Sequence, residues 1–212
     1  MSITSDARFW DRTSRKYARS AIADRDGYTR TLDRTLALFD ATDRVLELGC
    51  GTGTTALRLA GEVKSYLATD FSEGMIAIAE EKHRADPVPG LEFRIATADS
   101  PELEIRRFDA VLGFNYLHLV RDLPGTLQRI HALLAADGLF ISKTPCLGDM
   151  NPLIRLVLLP AMRATGLAPH AGAFSIAELS RLISSAGFDI LATEIHSTGG
   201  NDNRPYIVAI KR

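Results

Sequence analysis

Apolar residues follow two rhythms along this chain. Near the start, Phe9, Trp10, Tyr17, Tyr28, Leu32, Leu36 and Phe39 recur near helical spacing in two basic stretches. That spacing predicts amphipathic helices over roughly 6–20 and 27–40. From residue 44 the rhythm changes to short apolar runs separated by amphipathic stretches. The runs predict strands at 44–48, 65–70, Leu91–Ala96, Phe108–Phe114, Leu139–Lys143, 188–195 and 205–211. Helices are predicted at 53–61, 73–84 and 122–135, and one more opens at Ser175 and is ended by Gly187. Ser72 fits an N-cap, and Ser175-x-x-Glu178 reads as a capping box. Asp137-Gly138 breaks the helix that precedes it.

Strands alternating with helices imply right-handed crossovers and a parallel sheet. Only about nine residues, Ser197–Pro205, join the last two strands. A parallel crossover needs a dozen or more, so this join is expected to be an antiparallel hairpin. The predicted architecture is α/β: a seven-stranded, mostly parallel sheet with one antiparallel strand near the C-terminus and helices on both faces. Residues 1–40 would form an N-terminal helical cap and 41–212 the main domain, with an insert at 144–174 packing over the functional site.

Composition narrows the class. The chain has 212 residues, 46% hydrophobic and 24% charged, with a formal net charge of -1. That suits one globular domain with a real core. Proteins that track a phosphate backbone are usually basic, so nucleic acid is not expected as the main partner. Cys50 and Cys146 are not in metal-type spacing, and no pair among His83, His118, His131, His170 and His196 is either, so no metal site is expected. The polar N-terminus lacks a signal-peptide core. The most apolar segment, Leu153–Leu167, is too short and too charged to span a bilayer. The expectation is a cytoplasmic monomer or homodimer with free thiols and at most peripheral membrane contact.

Residues 45–55 read Val-Leu-Glu-Leu-Gly-Cys-Gly-Thr-Gly-Thr-Thr. An apolar strand ends, three glycines fall at alternate positions, and a helix begins. Such a loop lets backbone approach a nucleotide-like ligand at the carboxyl edge of a parallel sheet. Asp70 ends the next strand, seventeen residues past Gly53, where an acid can accept from both ribose hydroxyls. The dinucleotide fingerprint needs glycine at its sixth position, and Thr54 stands there. Glu47 would repel phosphate and welcome a cation. These features favour a cationic cofactor without a diphosphate.

The chain resembles the class I S-adenosylmethionine-dependent methyltransferases over about 40–212. The match rests on Glu47-Leu-Gly-Cys-Gly-Thr-Gly53 as their first motif and on Ala68-Thr-Asp70-Phe-Ser after it. Ala98-Asp99-Ser100 is similar to their adenine-binding turn, Phe108–His118 to their fourth strand, and Ala135–Ser142 to the turn into the fifth. The resemblance implies a Rossmann-like fold binding S-adenosylmethionine, with S-adenosylhomocysteine as product. It also implies roles. Glu47 and the backbone of Gly49, Cys50, Gly51, Thr52 and Gly53 would hold the methionine moiety. Asp70 would bind ribose. Phe71, Met75, Ala98, Asp99 and Ser100 would surround adenine, and Phe114 and Asn115 would sit beside the sulfonium.

Methyl transfer from a sulfonium is an in-line displacement, so much of the protein's task is alignment. A base is required only for a poor nucleophile. Tyr116 and His118 are the candidates, with core packing and a backbone hydrogen bond as their structural alternatives. The Asn/Asp-Pro-Pro-aromatic motif of base-methylating members is missing from Gly113-Phe-Asn-Tyr-Leu-His118. The chain looks more like the small-molecule branch that includes quinone-biosynthesis C-methyltransferases. Tyr17, Tyr28, Cys146 and Met150 are the candidate acceptor contacts, and the apolar part of the insert is either a lid or a helix packed on the core. The expected function is methyl transfer to a small, apolar metabolite; the alternative is a cofactor-binding regulatory module without catalysis.

Overall fold

The computed structural model describes residues 3–104, 107–149, 170–199 and 203–212. The apolar runs become seven strands: β1 (Arg44–Leu48), β2 (Ser65–Asp70), β3 (Leu91–Ile95), β4 (Phe108–Phe114), β5 (Leu134–Lys143), β6 (Phe188–Glu194) and β7 (Tyr206–Lys211). They lie in the order β3-β2-β1-β4-β5-β7-β6. All neighbours pair in parallel except β7, which is antiparallel to β5 and to β6. The short final join is therefore the expected hairpin, and β7 is the single reversed strand.

Burial follows position in the sheet. Every residue of β1 after Arg44 is buried, as is most of β4, because helices cover both faces of the centre. Edge strand β6 is only half-covered, with Leu191 and Thr193 exposed. Two apolar clusters result, one on each face. One joins Leu46, Val111, Phe140 and Ile207 to Leu127 and Ile130 of α6 (Leu123–Leu133) and to Leu179 and Ile183 of α7 (Ile176–Ser185). The other joins Val45, Tyr66, Leu112, Ile141 and Val208 to α2 (Arg25–Leu36), α3 (Ala56–Leu59) and α4 (Glu73–Ala85) through Leu32, Leu59, Ile76 and Ala79.

Helix starts carry the expected chemistry. Ser72 accepts from the Met75 N–H, and the Ser175–Glu178 capping box is fully formed. Asp24 and Asp122 cap α2 and α6 by accepting from Gly27 and Gly125. Each such cap contributes about 0.5–2 kcal/mol.

Several boundaries differ from expectation. The helix predicted over 27–40 is α2, which starts at Arg25 and ends at Leu36. The helix predicted over 53–61 shrinks to α3, followed by a 3₁₀ turn at Ala60–Glu62, because the loop glycines hold the chain out of helical geometry as far as Gly53. The helix predicted to 135 stops at Leu133, and β5 starts at once, with Leu134 opposite Phe108. Asp137-Gly138 is a bulge inside that strand: Asp137 takes φ +58° and the register shifts before Leu139 pairs with Ala110. A short helix, α5 (Pro101–Glu104), was not anticipated.

The N-terminal helices occupy different places. α1 (Ile3–Ala18) packs on α4, where Asp11 Oδ1 accepts from Ser72 Oγ at 2.6 Å and from the Gly74 N–H at 3.0 Å. A Cβ on Gly74 would stand 3.1 Å from Asp11 Cα, so glycine permits this approach. α2 lies on the sheet. Thr35 bonds Tyr206 Oη at 3.0 Å, Lys143 Nζ donates to Thr31 Oγ1 at 2.9 Å, and the buried His196 ring links Thr31 to Glu194.

Candidate cofactor site

β1 is flanked by β2 on one side and by β4 on the other, so the strand order reverses there. A crevice at such a switch point is where α/β sheets take ligands. The glycine loop leaves β1 at this switch point. Gly49, Gly51 and Gly53 all have positive φ, at +70°, +54° and +74°. A Cβ on Gly53 would stand 2.7 Å from Phe93 Cζ and 2.8 Å from Ala79 Cβ, so bare backbone lets the loop sink onto α4 and β3. A Cβ on Gly49 would meet the Tyr116 ring at 2.7 Å. Among the described residues a Cβ on Gly51 would meet Tyr17 Cε1 alone, at 3.8 Å, so this is the least crowded of the three loop positions. Within the loop the Cys50 N–H donates to the Thr69 carbonyl and the Gly53 N–H to the Cys50 carbonyl.

Two acids close the crevice from below. Glu47 is 2% exposed and accepts from Tyr66 Oη at 2.9 Å. Burial raises its carboxyl to about 7, and nearby Asp70 adds to the shift. Asp70 is also buried. Its Oδ2 accepts from the Gly51 N–H at 3.0 Å and its Oδ1 from the Ser72 N–H at 2.9 Å. Burial raises Asp70 as well, against the pull of those two N–H donors. Each carboxylate oxygen keeps further lone-pair capacity for a hydroxyl. The same burial, with both acids nearby, pushes the Cys50 thiol well above its ordinary value, so Cys50 is an inert filler.

This donor set fits S-adenosylmethionine. A left-handed glycine cradle would take the methionine moiety. Glu47 suits its ammonium, and Asp70 suits ribose hydroxyls. Around the expected adenine position, Met75 and Ala98 are buried and Phe71 is half-buried. Ser100 Oγ accepts from the Thr97 N–H and orders that turn. Asp99 is exposed and pairs with Arg129 at 3.2 Å. A lateral cleft of about 350 Å³ opens there, lined by Asp99, Asp122, Gly125 and Arg129. It shares only Asp99 with the expected cofactor residues and none of the loop glycines.

The acceptor side follows β4. Phe114 stacks on Tyr206, and Asn115 adopts φ +52°, donating its N–H to the Lys143 carbonyl at 2.7 Å. Tyr116 leans over Gly49; burial, then Asp99 and Asp70, raise its phenol, which stays protonated. His118 is pushed down to about 4 by burial and by Arg204. It is therefore neutral at physiological pH, the form that can accept a hydrogen bond or a proton, and burial makes it a weaker base than a free imidazole. Among the described residues its buried Nδ1 has no hydrogen-bond partner, and neither do Ser142 Oγ and Thr144 Oγ1 at the carboxyl end of β5. Among the expected acceptor contacts, Tyr17 is half-exposed over Gly51, and Tyr28 bonds Thr55 Oγ1 at 3.1 Å. Cys146 is fully buried in the core, its thiol pushed up to about 12. Met150 and most of the insert lie outside the described residues. Sequence reasoning missed Tyr66, Asp11, Lys82 and Arg204. A buried Glu47 demands a donor, and that signal could have pointed to a tyrosine on the neighbouring strand.

Residues 15–193 match the family model described as a methyltransferase domain. The chain belongs to that family. The fold agrees. An S-adenosylmethionine-dependent methyltransferase of Thermotoga maritima aligns with TM-score 0.71 at 22% identity, over 97% of this chain and 99% of that one. The magnesium protoporphyrin IX methyltransferase of Synechocystis PCC 6803, solved with S-adenosylhomocysteine bound, gives TM-score 0.70 at 20% identity, over 98% and 95%. By sequence, the mitochondrial arginine-hydroxylase NDUFAF5 of Danio rerio is 29% identical over 174 residues, covering 79% of this chain and 51% of that protein. The chain spans about half the length of the curated relatives it matches. This methyltransferase domain is thus of class I, with S-adenosylmethionine as its cofactor. Among the described residues no helix is long and apolar enough to cross a membrane.

Proposed function

We propose that this methyltransferase domain transfers a methyl group from S-adenosylmethionine to a small metabolite whose largely apolar frame carries one polar group. The observation that carries the proposal is the left-handed glycine loop over two buried carboxylates, Glu47 and Asp70. When bound, the cofactor supplies an electrophilic methyl on a sulfonium. The chain's own residues bind and orient. Glu47 offers a carboxylate to an ammonium, and Asp70 offers two oxygens to ribose hydroxyls. Tyr17 and Tyr116 screen the crevice from water. His118, Ser142 and Thr144 offer unused hydrogen-bonding capacity to an acceptor's polar group, which supports a polar handle on that frame.

Incubation with isotopically labelled S-adenosylmethionine and a metabolite extract tests this. The expected outcome is label in a small-molecule fraction and its loss with Asp70→Ala. Cofactor binding without transfer to any fraction would favour the regulatory module. A second reading, oxygenation of an arginine side chain, draws on the likeness to NDUFAF5. Mass spectrometry separates them, since one product gains a methyl group and the other an oxygen atom.

A further inference from the structure

Lys82 stands on the last turn of α4, one turn beyond Ala79, which touches the glycine loop at Gly53. Its ammonium donates to the Thr52 carbonyl at 2.9 Å, to Thr52 Oγ1 at 3.0 Å and to Thr54 Oγ1 at 3.0 Å. An ammonium has three hydrogens, so all its donors go to this one loop. The peptide between Thr52 and Gly53 is held at both ends, its carbonyl by Lys82 and its N–H by the Cys50 carbonyl. A helical lysine is ordinarily a solvated surface charge. Here it is half-buried and spends its whole donor capacity on the loop, against the desolvation that lowers its basicity.

We infer that Lys82 is a positioning residue for the cofactor: it locks the Thr52–Gly53 peptide and so presets the left-handed loop for S-adenosylmethionine. The inference rests on the cofactor assignment above. Nothing requires Lys82 to touch the cofactor. Its charge has the same sign as the sulfonium and the ammonium, so its field alone would oppose binding. The lock must outweigh that repulsion by avoiding the cost of ordering the loop on binding.

The two effects have opposite signatures, which makes the test sharp. Lys82→Met keeps the aliphatic stem and removes the donors. Calorimetry should show S-adenosylhomocysteine weakened on the order of tenfold and S-adenosylmethionine weakened by a smaller factor, because its sulfonium is also relieved of the lysine's charge. In a transfer assay the Michaelis constant for the cofactor should rise while kcat holds. Thr54→Val, which removes one exposed acceptor, should weaken both by about twofold to fivefold with an unchanged melting temperature. This second variant decides the question if Lys82→Met fails to fold. Unchanged affinity in the variants would overturn the inference. So would S-adenosylmethionine binding tighter to Lys82→Met than to the wild type, which would show the lysine's field outweighing its lock. Wild-type protein that bound neither molecule would instead overturn the cofactor assignment.

Discussion

The two halves of the crevice are finished to different degrees. On the β1–β2 side, loop and acids are bonded to one another: Gly51 and Ser72 to Asp70, Tyr66 to Glu47, Lys82 to Thr52 and Thr54. On the β4–β5 side, His118 Nδ1, Ser142 Oγ and Thr144 Oγ1 are buried and, among the described residues, unmatched. Unpaired buried polar atoms cost about 1–3 kcal/mol each. A fold keeps such a cost where something else benefits. On the proposed reading, the difference teaches that the side assigned to the cofactor is braced by the protein's own bonds, whereas the side assigned to the acceptor keeps hydrogen-bonding capacity that a polar group could use.

Four experiments would break or sharpen that contrast. The largest effect is expected from Asp70→Ala, which removes the oxygens assigned to ribose. Cofactor affinity should fall by about 2–4 kcal/mol, roughly 30- to 1000-fold by calorimetry.

Next comes Glu47. Its folded carboxyl, near 7, lies above its ordinary value of 4.5, so the folded protein binds the extra proton between them. The Glu47 contribution to ligand-free stability should be greatest below about pH 4.5 and fall by roughly 3 kcal/mol as pH rises to 7. Glu47→Gln should flatten that slope in denaturant titrations. A bound ammonium favours the ionised carboxylate, so wild-type protein should release a proton on cofactor binding near pH 6, and Glu47→Gln should not.

Gly53→Ala meets Phe93 and Ala79 and demands positive φ from a residue with a Cβ. It should cost about 2–3 kcal/mol of stability and weaken the cofactor as well. The smallest effect has the opposite sign. Ser142→Ala and Thr144→Val remove unmatched hydroxyls and should each stabilise the ligand-free protein by about 1 kcal/mol while lowering transfer. Destabilisation with transfer intact would mean that the β4–β5 side was not built for an acceptor.

Much of the cofactor half was legible in the sequence because its chemistry is local. Three glycines at alternate positions and an acid at the next strand end are nearest neighbours along the chain or across one strand pair. The seven strands and the reversed β7 were legible from apolar runs and one short join. The early start of β5 was not, because Leu134 becomes strand only by pairing with Phe108. The Tyr66–Glu47 bond needs the register of β1 against β2, which no local pattern encodes. Lys82 carries no local signal, because its partners Thr52 and Thr54 lie far back along the chain and meet it only where α4 packs on the loop. The unmatched Ser142 and Thr144 were silent for the same reason: their meaning is burial, and burial comes from packing.

A structure of the protein grown with saturating S-adenosylhomocysteine tests the central claim most directly. The account predicts the ligand lying along Gly49–Gly53, its ribose hydroxyls within hydrogen-bond distance of Asp70 and its ammonium facing Glu47. A crevice filled by Tyr116 and Tyr17, with no ligand against either acid, would contradict it.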